Sequence, residues 1–265
     1  MSGRQDYTFS GISERSSLEP LLAEYPELVP SKLKDLDQFR YETIQNILND
    51  RRTKGSAYLL KEDVVKLVEW KLSHGTFRPS LKKLVESNSE EDVRAATANA
   101  FKTDVKDKEG VKAALDVLTK LKGIGPATAS LLLSVCHASR VPFFSDELYR
   151  FCFWEEGKGT GWDRPIKYKL KEYLALFEKV NEKRTLNAVD LEKAAYVLGK
   201  TAAKPSSGES SLGKRKASDN SNGQKGDEKK VKGDDAAGKK TGPKTNQSKA
   251  GYATRSSAKP RSNLK

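Results

Sequence analysis

The sequence predicts an all-α domain. Three observations carry this reading: apolar residues recur at helical spacing nearly throughout 31–200, no stretch there sustains a period-two alternation, and capping or breaking residues punctuate the segments at short intervals. A first helix over about 33–49 puts Leu33, Leu36, Ile44, Ile47 and Leu48 on one stripe. A second over about 61–73 uses Val64, Val65, Val68 and Leu72 and stops near Gly75, with Trp70 and His74 read as core and helix-end residues. Pro79 suits a first helical position. Ser89 followed three residues later by Asp92 reads as an N-cap, leading a helix through Val93, Ala96 and Ala100. The next helix, about 109–121, is amphipathic through Val111, Ala114, Leu115, Leu118 and Leu121, and an apolar helix covers Ala127 to Ala138. Two more close the domain, one after Pro165 through Leu170, Tyr173, Leu174 and Phe177, and one from Asn187 through Leu191, Ala194 and Leu198 to Gly199.

The flanks read differently. Residues 1–30, with Pro20, Pro26 and Pro30 among scattered Leu and Tyr, are expected to form an irregular arm packing in part on the domain. Residues 201–265 lack Phe, Trp, Ile and Met and are expected to be disordered, because they cannot bury enough apolar surface to offset chain entropy. This tail carries 16 Lys+Arg against 6 Asp+Glu, so of the net charge of +13 only +3 belongs to residues 1–200. With a mean hydropathy of −0.70 and no apolar run of membrane length, the expectation is a soluble intracellular protein without a membrane partner. Cys136, Cys152, His74 and His137 make a poor ligand set, so no metal, no cofactor and no disulfide framework is expected.

The most informative stretch is Leu121-Lys122-Gly123-Ile124-Gly125-Pro126-Ala127-Thr128-Ala129. Gly123 is expected to end one helix with positive φ, Ile124 to plug the bend into the core, and Gly125 to let another backbone approach; Pro126 starts the next helix and Ala129 permits a close helix crossing. Such a turn aims N–H groups and the positive end of a helix dipole outward, an arrangement suited to phosphate. The order apolar, any residue, Gly, apolar, Gly, with Ala four residues beyond the second Gly, resembles the helix-hairpin-helix motif of the DNA glycosylase superfamily. The resemblance implies a helical bundle built around that motif and sequence-independent DNA contact through Gly123, Ile124, Gly125, Pro126, Ala127 and Thr128, with the amides of Ala127 and Thr128 on phosphate oxygens.

In the same superfamily an apolar extended segment and an Asp at the start of a helix follow the hairpin. Val141-Pro142-Phe143-Phe144-Ser145-Asp146 is similar to it, and the resemblance allows two registers, one with Ser145 and the other with Asp146 on the catalytic position. Ala127 stands where bifunctional members carry a Schiff-base Lys, so no lyase step is expected through it. Gly157 to Trp162 reads as a mobile surface loop whose Lys158 touches phosphate. Three function classes follow: a DNA-backbone binder, a monofunctional glycosylase using Asp146, and a protein-interaction scaffold that keeps the turn for packing. A pocket beside Asp146 separates the second from the third.

Lys214-Arg215-Lys216, a twelve-residue spacer, then Lys229, Lys230 and Lys232 match the two-cluster spacing of a bipartite nuclear localisation signal. The expected location is the nucleus, with a nuclear import receptor and DNA as partners.

Overall fold

The computed structural model describes residues 7–74, 79–154, 156, 161–183 and 185–202. Among them it is helical without a strand: α1 (Glu19–Leu28), α2 (Lys34–Gln38), α3 (Ile44–Thr53), α4 (Lys61–His74), α5 (Pro79–Glu86), α6 (Glu90–Lys102), α7 (Lys108–Leu118), α8 (Pro126–Cys136), α9 (Asp146–Cys152), α10 (Leu170–Glu182) and α11 (Ala188–Ala202). No helix among the described residues is long and apolar enough to cross a membrane. The tail residues named above, Lys158 and the glycines at 75, 157 and 159 lie outside the described residues.

The helices form where their residues demand it. Ser89 caps α6, its Oγ accepting from the Asp92 N–H at 3.0 Å, as the sequence predicts. Asp107 caps α7 in the same way, accepting from the Gly110 N–H at 2.8 Å. α8 is the core element. Every residue from Thr128 to Val135 is buried, and the helix packs on α3, α4, α6, α7 and α10. A helix apolar all round can sit only in an interior, and its leucines each contribute about 1.5–3 kcal/mol by leaving water.

Two segments depart from the sequence reading. The run expected as an irregular arm contains a 3₁₀ turn, Arg15–Leu18, and the helix α1, whose Leu21 and Tyr25 are buried against α11. Pro20 lies in the first turn, where its missing N–H costs nothing. Arg15 Nε donates to Asp190 Oδ2 at 2.9 Å and Thr185 Oγ1 to the Ser13 carbonyl at 2.9 Å, tying this segment to the chain's last helices. The body therefore begins well before residue 31.

The first expected helix is also more complex than its stripe. Between α2 and α3 the chain makes a π-turn, Phe39–Thr43, which re-phases the two halves. Leu33, Ile44 and Leu48 are buried as expected, but Phe39 and Arg40 also turn inward. Arg40 is 2% exposed; its Nη1 and Nη2 donate to Glu192 of α11 at 2.6 and 2.9 Å, and its guanidinium lies 4.0 Å from the Trp70 ring centre.

Removing one partner of that pair strands the other as a lone buried charge. Arg40→Ala and Glu192→Ala are each expected to lower the unfolding free energy by about 3–5 kcal/mol, and the double variant by less than the two together, as measured by urea denaturation.

Candidate functional site

The turn between α7 and α8 is built as its residues require. Gly123 has φ of +77°, and a Cβ there would meet Leu84 Cβ and Val85 Cγ2 at 3.0 Å, so both conformation and space call for glycine. Ile124 is buried. Asn88, buried just before α6, clamps the turn: the Lys122 N–H donates to its Oδ1 at 2.8 Å, while its Nδ2 donates to the carbonyls of Lys122 at 3.0 Å and Val85 at 2.9 Å. Gly125 is the N-cap of α8, with φ of −92° and nothing within 4 Å of where a Cβ would stand. Its carbonyl accepts from Thr128 N–H at 3.0 Å and Ala129 N–H at 2.8 Å. The Thr128 amide is thus turned into the chain and its side chain is buried, which leaves the Ala127 N–H as the first-turn amide with no carbonyl partner among the described residues.

The carboxylate segment is fixed from two sides. Phe144 N–H donates to the buried Ser130 Oγ on α8 at 3.0 Å, and Tyr173 OH donates to the Pro142 carbonyl at 3.1 Å. At the start of α9, Ser145 is the cap, its Oγ accepting from Leu148 N–H at 3.1 Å, and Asp146 is the first helical residue. The hydroxyl and the carboxylate therefore have separate tasks. Asp146 Oδ1 accepts from Tyr168 OH at 2.6 Å, and Oδ2 lies 3.5 Å from Arg150 Nη1. Tyr168 has φ of +54°, a left-handed conformation costing a bulky residue of order 1–3 kcal/mol and found where surroundings enforce it.

One cleft of about 580 Å³ runs from Gly123, Gly125, Pro126, Ala127 and Thr128 to Ser145, Asp146 and Glu147. Its inner wall is aromatic: Tyr25 from α1, Tyr41 from the π-turn, Trp70 and His74 from α4, Phe143, and Tyr196 from α11. Trp70, although 3% exposed, belongs to this wall rather than to the core alone. Behind the rings lies Asp37, whose Oδ1 accepts from Tyr25 OH at 2.9 Å and Trp70 Nε1 at 3.0 Å. His74 Nε2 approaches the same oxygen at 3.4 Å without completing a hydrogen bond, and its Nδ1 meets the Trp70 carbonyl at 3.0 Å.

Burial opposes charge on Asp37, but His74, Trp70 and Tyr25 outweigh it and hold the carboxyl below the usual range. Burial acts unopposed on the Tyr196 phenol, which is pushed up to about 12. It also raises Glu147, the second carboxyl on the cleft. Among the described residues no three His, Cys, Asp or Glu side chains converge as a metal-binding group.

The structure thus joins Gly123, Gly125, Pro126, Ala127, Thr128 and Asp146 in a single concavity, whereas Ile124, expected among the DNA contacts, is buried in the core and does not line it. Asn88, Ser130, Tyr168 and Asp37 were not singled out from the sequence. No protein-family model, no curated protein and no solved structure matches this chain.

The two buried serines of α8 separate positioning from packing. Ser130→Ala leaves the Phe144 N–H unpaired and is expected to cost about 1–3 kcal/mol in chemical denaturation. Ser134, whose Oγ donates only to the Leu131 carbonyl, is the control, and Ser134→Ala is expected to cost less than half as much.

Proposed function

We propose that this chain binds DNA by gripping backbone phosphate at the Gly123–Thr128 turn, and that the adjoining aromatic cleft receives a nucleobase turned out of the duplex. The observation carrying this reading is the continuity of the cleft from Ala127 to Asp146. A phosphate on the Ala127 amide gains from the positive end of the α8 dipole, and Pro126, having no N–H, does not compete. The sugar beyond it then lies toward Asp146 and the base toward Trp70, Tyr41 and Tyr196; Arg40 already lies over the Trp70 and Tyr41 rings, at 4.0 and 4.4 Å from their centres, so this lining holds the base by apolar contact rather than by stacking on those rings. The volume lies within the roughly 300–1,000 Å³ common to small-ligand clefts. A protein-interaction scaffold that keeps the turn for packing alone has no use for this opening.

A second reading, base excision, is favoured by the way Tyr168 and Arg150 hold the Asp146 carboxylate at the cleft edge. There the carboxylate would stabilise positive charge developing on the sugar as the bond to the base breaks, and water would complete the hydrolysis. Ala127 offers no amine, so the product is an abasic site in an uncut strand. The basic tail adds salt-sensitive attraction to DNA, and its two Lys/Arg clusters direct the chain to the nucleus through an import receptor.

Two glycine variants test the turn. Gly125→Val stands in open space at an ordinary φ, so it is expected to keep the fold, at a cost of about 1 kcal/mol for a β-branched residue at an N-cap. It should nevertheless weaken duplex binding by the full chain severalfold in a fluorescence-anisotropy titration. Gly123→Ala, forced into positive φ against Leu84 and Val85, is expected to cost at least about 1–2 kcal/mol. Unchanged binding by Gly125→Val would make the turn purely structural.

Base excision has its own measurement, release of free base from alkylated, oxidised and deaminated duplexes. Asp146→Asn is expected to keep DNA affinity and lose release, because the amide preserves shape and removes charge. If the unaltered chain releases no base from any of them, the excision reading falls and backbone binding stands. For the tail, residues 201–265 fused to an inert reporter should carry it into nuclei, and neutralising Lys229, Lys230 and Lys232 should abolish entry.

A further inference from the structure

At the end of α8 remote from the cleft, a second hollow of about 510 Å³ opens between α3, the 103–106 loop and the 136–140 turn. A third, of about 500 Å³, adjoins it and shares Lys106, Ser139, Arg140 and Asn187. Together they form one groove. Its lining carries four cations, Arg52, Lys106, Arg140 and Lys183, against the single carboxylate of Asp104. Asp104 is already taken by Lys106 at 2.8 Å. Among the described residues the other three cations meet only neutral acceptors. Arg52 donates to Asn49 Oδ1 at 2.7 Å and to Cys136 Sγ at 3.3 Å, Arg140 to the Lys106 carbonyl at 3.4 Å, and Lys183 to the Ser10 carbonyl at 2.9 Å.

Asp104 also attracts Arg140 at longer range, so one carboxylate serves two of the four cations. Burial pushes the Cys136 thiol up despite Arg52, so the sulfur that Arg52 touches is a neutral thiol. The C-terminus of α8 contributes only about half a negative charge, which one cation neutralises. In a body whose net charge is close to zero, the lining side chains carry four positive charges against one negative, more than the half-charges at the ends of α3, α6, α8 and α10 offset. Arg52 and Arg140 are exposed and carry planar forks that match phosphate oxygens two at a time.

We propose that this groove binds phosphate esters, and that its natural occupant is a stretch of nucleic-acid backbone beyond the phosphate held at the Gly123–Thr128 turn. Backbone is favoured over a free phosphorylated small molecule because the cations are strung along two contiguous hollows instead of converging on one point. The groove's chemistry stands on its own cations and does not require the turn or the cleft to be occupied.

The test compares the full chain, its Arg52→Gln/Arg140→Gln variant and a charge-matched control, Lys32→Gln/Lys34→Gln, whose exposed lysines line none of the three hollows. Each is titrated with a short labelled duplex of random sequence across a salt series, and separately with adenosine monophosphate by calorimetry. Losing two phosphate contacts should make the slope of log affinity against log salt shallower by about 1.8, with the control moving less than half as far. A loss confined to adenosine monophosphate also supports the phosphate-ester site and assigns it a free ligand. The proposal is overturned if the arginine variant matches the control in both titrations. Gly125→Val separates the two sites: it should weaken duplex binding while leaving the slope change between the remaining variants intact.

Discussion

The described helices are arranged around one helix that has no outward face. Because α8 is buried from Thr128 to Val135, its neighbours must surround it, and only its two ends can reach solvent. The ends of a helix are also where backbone groups lack intrahelical partners and where the dipole leaves a partial charge. The cleft lies at the positive end and the cationic groove at the negative end. The two proposed sites differ accordingly: at the N-terminal end backbone amides would take an anion, while the C-terminal end would need side-chain cations to overcome its own polarity before taking one.

The sequence made most helices legible because their signals are local. Ser89 capping α6, Pro79 opening α5 and the Gly123-Ile124-Gly125 turn each act within a few residues, and the structure has them where the spacing puts them. The failures share a different character. Pro20 and Pro26 read as breakers, yet α1 exists because Leu18, Leu21 and Tyr25 gain more by packing on α11 than the prolines remove. The π-turn at Phe39–Thr43 has no local signature; within it Arg40 turns inward to the distant Glu192.

The candidate site divides along the same line. Gly123, Gly125 and Asp146 were legible because turn chemistry and helix starts leave patterns in sequence. Asn88, Ser130 and Tyr168 were not. Each acts across 14 to 34 residues on a backbone or side-chain group that becomes its partner only after folding: Lys122, Phe144 and Asp146 respectively. At 145 and 146 the contacts divide the two side chains, with the hydroxyl spent on the helix cap and the carboxylate turned to Tyr168.

The aromatic wall of the cleft draws Tyr25 from the beginning of the described chain, Trp70 from α4 and Tyr196 from its last helix, with Asp37 bonded to two of them. No partly folded form that lacks either terminus contains that wall. Occupancy of the cleft is therefore linked to the cooperative unfolding of the whole body, not to the ordering of a loop. A molecule bound there raises the melting temperature of every helix together, by an amount set by its concentration relative to its dissociation constant. Hydrogen exchange at α1 and α11, far apart in sequence, would slow in step as the cleft fills.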